Sequence, residues 1–426
     1  MKYGRFSLSS LEQRLQHLRD FLAVAEAGSI AKASSRIFKA PSAVTRSIIE
    51  LETSLGTSLF ERKPRGMLPN AYGEAVRQRA ERISDEIYQA TEEFLRSQLK
   101  PSSSLRTTII NLLFNGRKLQ LLIHLSDARN ISLVATQLGM TQAGASMALS
   151  RMESGIGQPL FQRMMQGMVA TDPAARLVMR AKRIFAELRY MASDISAISG
   201  NVGGTVSIGA LPLGRTFVVP TAITNALSRY PGLHVMTIES PYEQLVGNLR
   251  SGEIDMLFGA LRQDDAYQGL ITRPLFNDRM GIVARAGHPL VSRNSLQLAD
   301  LLDEKWILPK SNTPGRRLVD ASFLELGLQP PTPSVETGDM AILRQLLNNS
   351  DMLTAISPPQ FMFEIDSGML AELPVTLGLA TRQIGLTLRE GAMLSPAALA
   401  VVDAISDVVR TISLRTAEVH SPQPAQ

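Results

Sequence analysis

Residues 18–66 read LRDFLAVAEAGSIAKASSRIFKAPSAVTRSIIELETSLGTSLFERKPRG, and this stretch decides the fold of the N-terminal part of the chain. Apolar side chains recur at helical spacing from Leu18, and Gly28 followed by Ser29 suits the end of one helix and the start of the next. Pro41 suits the first position of a third helix because its φ is fixed. Two short helices, a tight turn and a polar-faced third helix predict a helix-turn-helix.

The outward face of the third helix and the segment after it carry the polar groups expected to contact DNA. Val44, Ile48 and Leu51 share the inner face, which turns three polar side chains outward: Ser42, Thr45 and Arg46. Beyond the helix, apolar Leu59-Phe60 precedes three cations, Arg62, Lys63 and Arg65. A charge cluster alone is usually a solvated surface. Beside a helix-turn-helix it predicts a wing that contacts phosphates.

The same small domain is predicted twice. A shift of 101 residues aligns Leu18–Ile83 with Leu119–Ile184 without a gap, and fourteen of the 66 aligned positions are identical. Apolar positions also correspond, as at Phe21 and Leu122. A repeat of this length indicates duplication of one supersecondary unit. We therefore expect two tandem winged helix-turn-helix domains, over residues 1–100 and 101–200.

The stretch from Leu18 to Arg62 closely resembles the N-terminal domain of LysR-type transcriptional regulators, through FLAVAEAGS, PSAVTRSI and LETSLGTSLFER. The resemblance implies double-stranded DNA as a partner, with Ser42, Thr45 and Arg46 facing bases or backbone. It also implies phosphate contacts from Lys32 on the second helix and from the wing cations Arg62, Lys63 and Arg65. Where many family members place glutamine early in the recognition helix, this chain has Pro41.

The second copy departs from the first in its functional positions. Met147 replaces Arg46, and Met164-Met165-Gln166 replaces the basic wing. Loss of phosphate-contacting charge weakens binding to every sequence, which favours a structural or dimerisation module. The alternative is a reader of a second half-site, with four candidate contacts: Thr141, Gln142, Ser146 and Arg163.

A long helix-forming run follows each wing, over Tyr72 to Leu99 and Pro173 to Ile198. The first has an apolar stripe and a densely charged opposite face. By resemblance this is the linker helix through which family members pair into dimers. The alternative is that the stripe packs inside its own chain.

The C-terminal part, residues 201–426, predicts an α/β fold with two lobes, similar to periplasmic binding proteins. We expect lobe I over about residues 202–275 and 389–414, and lobe II over about 276–388. Strand and helix signals alternate, which favours parallel sheets whose ligand crevice lies outside the carboxyl ends of the strands. The loop from Ala210 to Arg215 lies at such an end.

This part resembles the effector-binding domain of LysR-type regulators, through VSIG, LRSGEIDM at Leu249 to Met256 and the run from Leu275 to Leu290. The resemblance implies a small-molecule effector between the lobes. Candidate contacts map by position to Leu211, Leu213, Arg262, Ser311, Asn312, Thr313, Arg316 and Asp339. Ser311 to Thr313 precede a helix whose free N–H groups favour a carboxylate or phosphate, so we expect an anionic effector. For the two arginines, a surface salt bridge is the alternative.

Charge and composition narrow the function classes. The first 200 residues carry ten more basic than acidic side chains and the remaining 226 carry five fewer, which fits a polyanion-binding front end. The chain has no cysteine and five histidines, so metal, thiol and cofactor sites are not expected. No catalytic motif supports the alternative of an α/β enzyme. No run predicts a membrane span or secretory signal, so we expect a cytoplasmic protein.

The expected assembly is a homo-oligomer, a dimer or tetramer, whose promoter binding the effector modulates and which contacts RNA polymerase. A regulator that acts mainly through protein partners is the remaining alternative.

Overall fold

A computed structural model describes residues 15–63, 66–96, 102–262, 268–293, 295–378 and 381–419. Helices and two short hairpins make up the part before residue 199, and two five-stranded sheets with flanking helices make up the part after it. Among the described helices, none combines the length and apolar character required to cross a membrane.

The first winged helix contains three helices, a hairpin and a long linker helix. In chain order these are α1 (Leu15–Ala27), α2 (Ile30–Arg36), α3 (Pro41–Leu55), β1 (Phe60–Lys63), β2 (Gly66–Pro69) and α4 (Ala71–Arg96). The Ser29 hydroxyl accepts a 3.2 Å hydrogen bond from the Lys32 amide and caps α2. Gly56 ends α3 in the left-handed region, at φ 70°. Val44, Ile48 and Leu51 are buried, as their helical spacing predicted.

The second winged helix repeats this order after one additional helix. Its elements are α5 (Ser103–Leu113), α6 (Gly116–Ala128), α7 (Ile131–Gln137), α8 (Gln142–Ile156), β3 (Phe161–Met164), β4 (Gly167–Ala170) and α9 (Asp172–Ile198). Identical residues of the repeat make identical bonds. Glu52 accepts from the Leu59 amide at 2.7 Å, and Glu153 accepts from the Leu160 amide at 2.8 Å. Each carboxylate therefore ties the end of its third helix to the start of its wing.

The two linker helices pack against each other in antiparallel directions. Residues near the start of α4 contact the end of α9, as Tyr72 contacts Ser199, and residues near the end of α4 contact the start of α9, as Glu93 contacts Arg176. The apolar stripe of α4 is buried, including Val76, Ile83, Ile87 and Phe94. Of the two interpretations of this stripe, the structure therefore shows the intrachain one.

The C-terminal part contains two sheets. The first has the order β6-β5-β7-β14-β8, from β5 (Gly203–Ala210), β6 (Gly232–Ile238), β7 (Met256–Ala260), β8 (Leu270–Arg279) and β14 (Thr381–Arg389). The second has the order β11-β10-β12-β9-β13, from β9 (Gly281–Arg285), β10 (Trp306–Leu308), β11 (Val335–Glu336), β12 (Leu353–Ile356) and β13 (Leu370–Glu372).

Helices cover these sheets. They are α10 (Pro212–Thr216), α11 (Val218–Arg229), α12 (Tyr242–Ser251), α13 (Pro314–Glu325), α14 (Met340–Asn348), α15 (Met362–Asp366) and α16 (Pro396–Val419), with 3-10 segments at Pro289–Ser292, Leu298–Leu301 and Pro358–Phe361. The β5–β6 and β5–β7 pairs are parallel, and β14 runs antiparallel to β7 and β8.

The chain leaves the first sheet with the end of β8 and returns to it with β14. Strand β8 continues in the first sheet to Arg279, and β14 enters it at Thr381. The sequence prediction placed residues 276–388 in lobe II, whereas residues 276–279 and 381–388 belong to the sheet of lobe I. Much of β8 is exposed, so its sequence lacks the regular apolar alternation that predicts a strand. For this reason β8 and its partner β14 were not predicted.

Candidate functional site

The first recognition helix presents the predicted polar side chains on its outer face. Ser42 is exposed, and the Thr45 hydroxyl donates to the Pro41 carbonyl at 2.9 Å. The Arg46 side chain is 82% exposed, and its Nε donates to the Glu50 carboxylate at 2.9 Å. An exposed i,i+4 pair contributes less than about 1 kcal/mol, so this guanidinium exchanges its partner readily. Lys32 is also exposed, on α2.

The first wing is held against α1 by backbone. The Met67 amide donates to the Gly28 carbonyl at 2.8 Å, which places the β1–β2 hairpin beside the helix-turn-helix. Arg62 and Lys63 lie on β1, but their side chains are outside the described ones, and Arg65 lies outside the described residues. Their phosphate contacts stay predictions.

The second recognition helix presents a less basic surface. Thr141 caps it by accepting from the Gly144 amide at 3.1 Å. Gln142, Ser146 and Arg163 are exposed and line one groove between α8 and the second wing. Met147 is exposed as well, at the position equivalent to Arg46.

A cleft of about 310 Å³ lies between the two sheets, and residues after the carboxyl ends of β5, β7 and β10 line it. This is the place that open α/β sheets offer to ligands. Of the predicted effector contacts, four line the cleft: Leu211, Leu213, Arg262 and Thr313. Thr313 also caps α13, whose first residues Pro314 and Gly315 face the same space.

The other predicted effector contacts lie elsewhere. Ser311 and Asn312 are exposed and do not line the cleft. Arg316 is buried and donates to Asp320 at 2.8 Å, the salt-bridge alternative. Asp339 lies beside the cleft and caps α14 by accepting from the amides of Ile342 and Ala341. These bonds hold the pKa of the Asp339 carboxyl below its ordinary value.

Two further arginines that the sequence did not single out line the cleft. Arg215 lies on α10, which occupies most of the segment expected to be a loop at the crevice, and Arg382 enters from β14. The Arg382 Nε donates to Asp278 at 3.0 Å, and Ser357 donates to the other oxygen of the same carboxylate at 2.5 Å. Asp278 is buried, so it fixes the orientation of Arg382.

The third arginine stacks on an aromatic ring. The Arg262 guanidinium lies 3.6 Å from the centre of the Tyr242 ring and donates to Glu243 at 3.3 Å. Across the described lining, three guanidinium groups and no carboxylate face the cleft. Apolar groups from Leu211, Met280, Met340, Leu343 and Ile356 make up much of the remaining wall.

Comparison with known proteins agrees with this architecture. Residues 15–74 and 117–175 each match the family described as "Bacterial regulatory helix-turn-helix protein, lysR family", and residues 199–410 match "LysR substrate binding domain". The HTH-type transcriptional regulator GalR of Pseudomonas putida is 39% identical over 395 residues, which cover 93% of this chain and 97% of GalR. The chain belongs to the LysR family of transcriptional regulators. The predictions of family, fold class and regulatory rather than enzymatic function are confirmed.

Other relatives of this LysR-family regulator match a smaller share of it. GbpR of Rhizobium radiobacter is 29% identical over 258 residues, which cover 60% of this chain and 84% of GbpR. Among solved structures, a variant of full-length OxyR from Pseudomonas aeruginosa has a TM-score of 0.51 at 17% identity and covers 69% of this chain and 94% of its own. CbnR has the same TM-score at 16% identity and covers 69% and 98%. These structures show the fold.

LysR-family regulators bind DNA and small-molecule effectors and form oligomers. In this LysR-family chain, the two winged helices match the family's helix-turn-helix model and the two lobes match its substrate-binding model.

Proposed function

We propose that this regulator contacts promoter DNA mainly through its first winged helix. The candidate contacts are those named from the sequence: Lys32, Ser42, Thr45, Arg46, Arg62, Lys63 and Arg65. The observation that carries the proposal is the 82% exposure of Arg46 on the outer face of α3, beside exposed Ser42. An arginine so placed reaches guanine edges or phosphates once α3 lies in the major groove.

Replacement of Arg46 by alanine should weaken binding to the regulator's own promoter region by roughly 5- to 150-fold, the 1–3 kcal/mol of one good base contact. Lys63→Ala should weaken binding to all duplexes and lower the slope of log affinity against log salt by about one, because one phosphate contact is lost. Fluorescence anisotropy at several salt concentrations measures both.

A matched control is Arg410→Ala. Arg410 is also an exposed arginine paired with a nearby acid, Asp407, but it lies on the C-terminal helix α16. Its loss should leave the affinity unchanged. If all three variants bind as the wild type does, the first winged helix does not contact DNA and this proposal is overturned.

We further propose that the cleft binds a small organic anion with an apolar portion. Three inward-facing guanidinium groups and the start of α13 supply positive potential, and the leucine and methionine side chains accommodate apolar atoms. The buried Asp278 holds Arg382 through its Nε and does not itself line the cleft, so the terminal N–H groups of Arg382 can donate to an anion on the cleft side.

Thermal-shift measurements on the full chain test the charge of the effector. Succinate, hexanoate and benzoate are each compared with the corresponding amide, and we expect carboxylates alone to raise the melting temperature. Arg382→Gln should reduce a carboxylate's affinity by roughly 10- to 150-fold, as for loss of a charge-assisted hydrogen bond of about 1.5–3 kcal/mol. The control is Arg285→Gln, which removes an exposed pair with Asp351 outside the cleft. Equal shifts by acids and amides would contradict an anionic effector.

The proposed mode of regulation combines the DNA-binding site on the first winged helix with the effector site in the cleft. We propose that the chain works in the cytoplasm as a dimer or tetramer, and that effector binding changes the arrangement of the lobes and thereby DNA binding or contact with RNA polymerase. An effector shifts this balance only by its different affinity for the two arrangements. The domain limits near residues 100 and 200 are part of the same proposal.

A further inference from the structure

The two linker helices are joined by an ionic network that repeats with the sequence. On α4, the buried Arg79 donates to Glu187 at 2.8 Å and to Asp194 at 2.7 Å, both on α9. The residue 101 positions after Arg79 is Arg180, on α9. Arg180 donates to the two acids of α4 that lie 101 positions before those two partners, Glu86 and Glu93.

A second pair of contacts has the same relation. Arg82 donates to Glu187 at 2.9 Å, and its counterpart Arg183 lies 3.4 Å from Glu86. For each of these contacts made by an arginine of copy one, the equivalent arginine of copy two makes the equivalent contact with copy one. That is the signature of an isologous, two-fold interface, here formed within one chain.

The symmetry fixes on which side the two recognition helices lie. A two-fold axis that exchanges two antiparallel helices is perpendicular to the plane that contains them. Rotation about this axis leaves each domain on the same side of that plane. The recognition helices α3 and α8 therefore lie on one face of the molecule, as in dimeric helix-turn-helix proteins that bind one face of a duplex.

The separation of the linker-helix starts is of the order of one turn of DNA. The reciprocal contacts are centred near residues 84 and 185, and each linker helix begins about 13 residues earlier, at Ala71 and Asp172. At 1.5 Å per residue the two starts are about 39 Å apart along the helix axes. One turn of DNA separates half-sites by about 34–36 Å.

The second copy has a cation beside its recognition helix at a position where the first has none. Gly28 and Arg129 are repeat equivalents, and each carbonyl accepts a 2.8 Å bond from a wing amide. Both adopt the left-handed backbone, at φ 66° and 54°. An arginine there costs about 1 kcal/mol more than glycine. The exposed Arg129 side chain lines the same groove as Gln142, Ser146 and Arg163.

We propose that a single chain is an internal dimer of winged helices that contacts two adjacent half-sites of double-stranded DNA with unlike surfaces. Copy one uses Arg46 on α3, and copy two uses Gln142, Ser146, Arg163 and Arg129. The target is therefore a non-palindromic pair of half-sites about one helical turn apart. The inference rests on the proposed DNA binding of copy one, but its geometry is measurable without DNA.

The first experiment measures the internal axis. Because the chain has no cysteine, Ser42→Cys together with Ala143→Cys places spin labels at repeat-equivalent exposed positions of α3 and α8. Double electron–electron resonance on the full chain should give a distance of about one DNA turn, roughly 35–40 Å. The distance should persist in a tenfold excess of unlabelled wild type. Loss of the distance on dilution would overturn the internal dimer, whether or not the protein binds DNA.

The second experiment separates a DNA-contacting Arg129 from a structural one. Arg129→Gly restores the residue of copy one and should raise the melting temperature, because left-handed backbone strain is relieved. It should also lower affinity for the promoter region about threefold to tenfold and reduce the salt slope by about one. The matched control is Arg117→Gly, another exposed arginine of copy two, near the start of α6 and outside the groove. Unchanged affinity of Arg129→Gly, with Arg46→Ala still weakening binding, would contradict the contact assigned to Arg129 and show that this residue has a structural role only.

Discussion

Replacement of Arg79 by alanine is expected to lower the free energy of unfolding by about 3–5 kcal/mol, because the buried Asp194 carboxylate loses its cation and the buried Glu187 carboxylate keeps only Arg82 as a close one. Arg79, Glu187 and Asp194 are 1%, 2% and 8% exposed. The guanidinium also donates to the Met393 carbonyl of the effector domain at 2.6 Å. One substitution thus loosens both the pairing of the linker helices and their contact with lobe I. Urea unfolding followed by circular dichroism at pH 7 measures the loss.

The repeat provides a matched control in Arg180→Ala. The Arg180 side chain is 13% exposed, and its partners Glu86 and Glu93 are 16% and 28% exposed, so water reaches the carboxylates left behind. We therefore expect a clearly smaller loss than for Arg79→Ala. Equal losses would mean that desolvation of the Arg79 cluster does not determine the stability of the helix pair.

Asp255→Ala should cost about 2–6 kcal/mol, because it leaves two buried donors without an acceptor at about 1–3 kcal/mol each. The Asp255 carboxylate accepts from the Ser207 amide at 2.6 Å and from the hydroxyl of Tyr190 on α9. This contact joins α9 to the first strand of lobe I. Asp255→Asn retains an acceptor oxygen and should lose less, again by urea unfolding.

The difference in stability between the wild type and Asp255→Asn should depend on pH. Burial raises the pKa of the Asp255 carboxyl above its ordinary value. The folded protein therefore holds this proton more tightly than the unfolded chain does. The wild type should lose stability relative to Asp255→Asn as pH rises from the ordinary carboxyl pKa through the raised one, with no further change above it. Parallel stability curves of the two proteins from pH 4 to pH 8 would contradict a raised pKa.

The helices of the N-terminal part could be predicted from the sequence because the spacing of their apolar residues is a local pattern. Val44, Ile48 and Leu51 recur at helical spacing, so the recognition helix and its outer face could be predicted. In the sequence, Glu52 and Glu153 were notable only as identical residues of the repeat. In the structure, each carboxylate accepts a hydrogen bond from the backbone amide at the start of its wing. The pairing of the linker helices left a signal that could have been found, since Arg79 and Arg180 are also identical in the repeat.

The effector cleft was harder because its residues meet only after the chain has crossed between lobes. Leu211 directly follows β5, and Thr313 lies between β10 and α13, where an alternation of strands and helices predicts a ligand crevice. Arg382 is 104 residues from Asp278, which orients it, and no local pattern joins them. Ser311 and Asn312 failed to reach the cleft because the turn before α13 directs them to solvent.

The antiparallel packing of α4 on α9 changes how operator binding depends on protein concentration. Two separate chains must first associate, and at low abundance that step limits how much competent protein exists. Joined in one polypeptide, the copies meet at an effective concentration of the order of millimolar, however few molecules a cell contains. Binding of the two winged helices to adjacent half-sites should therefore need no prior association of chains, and a sigmoid titration of an operator would report only the assembly of whole chains.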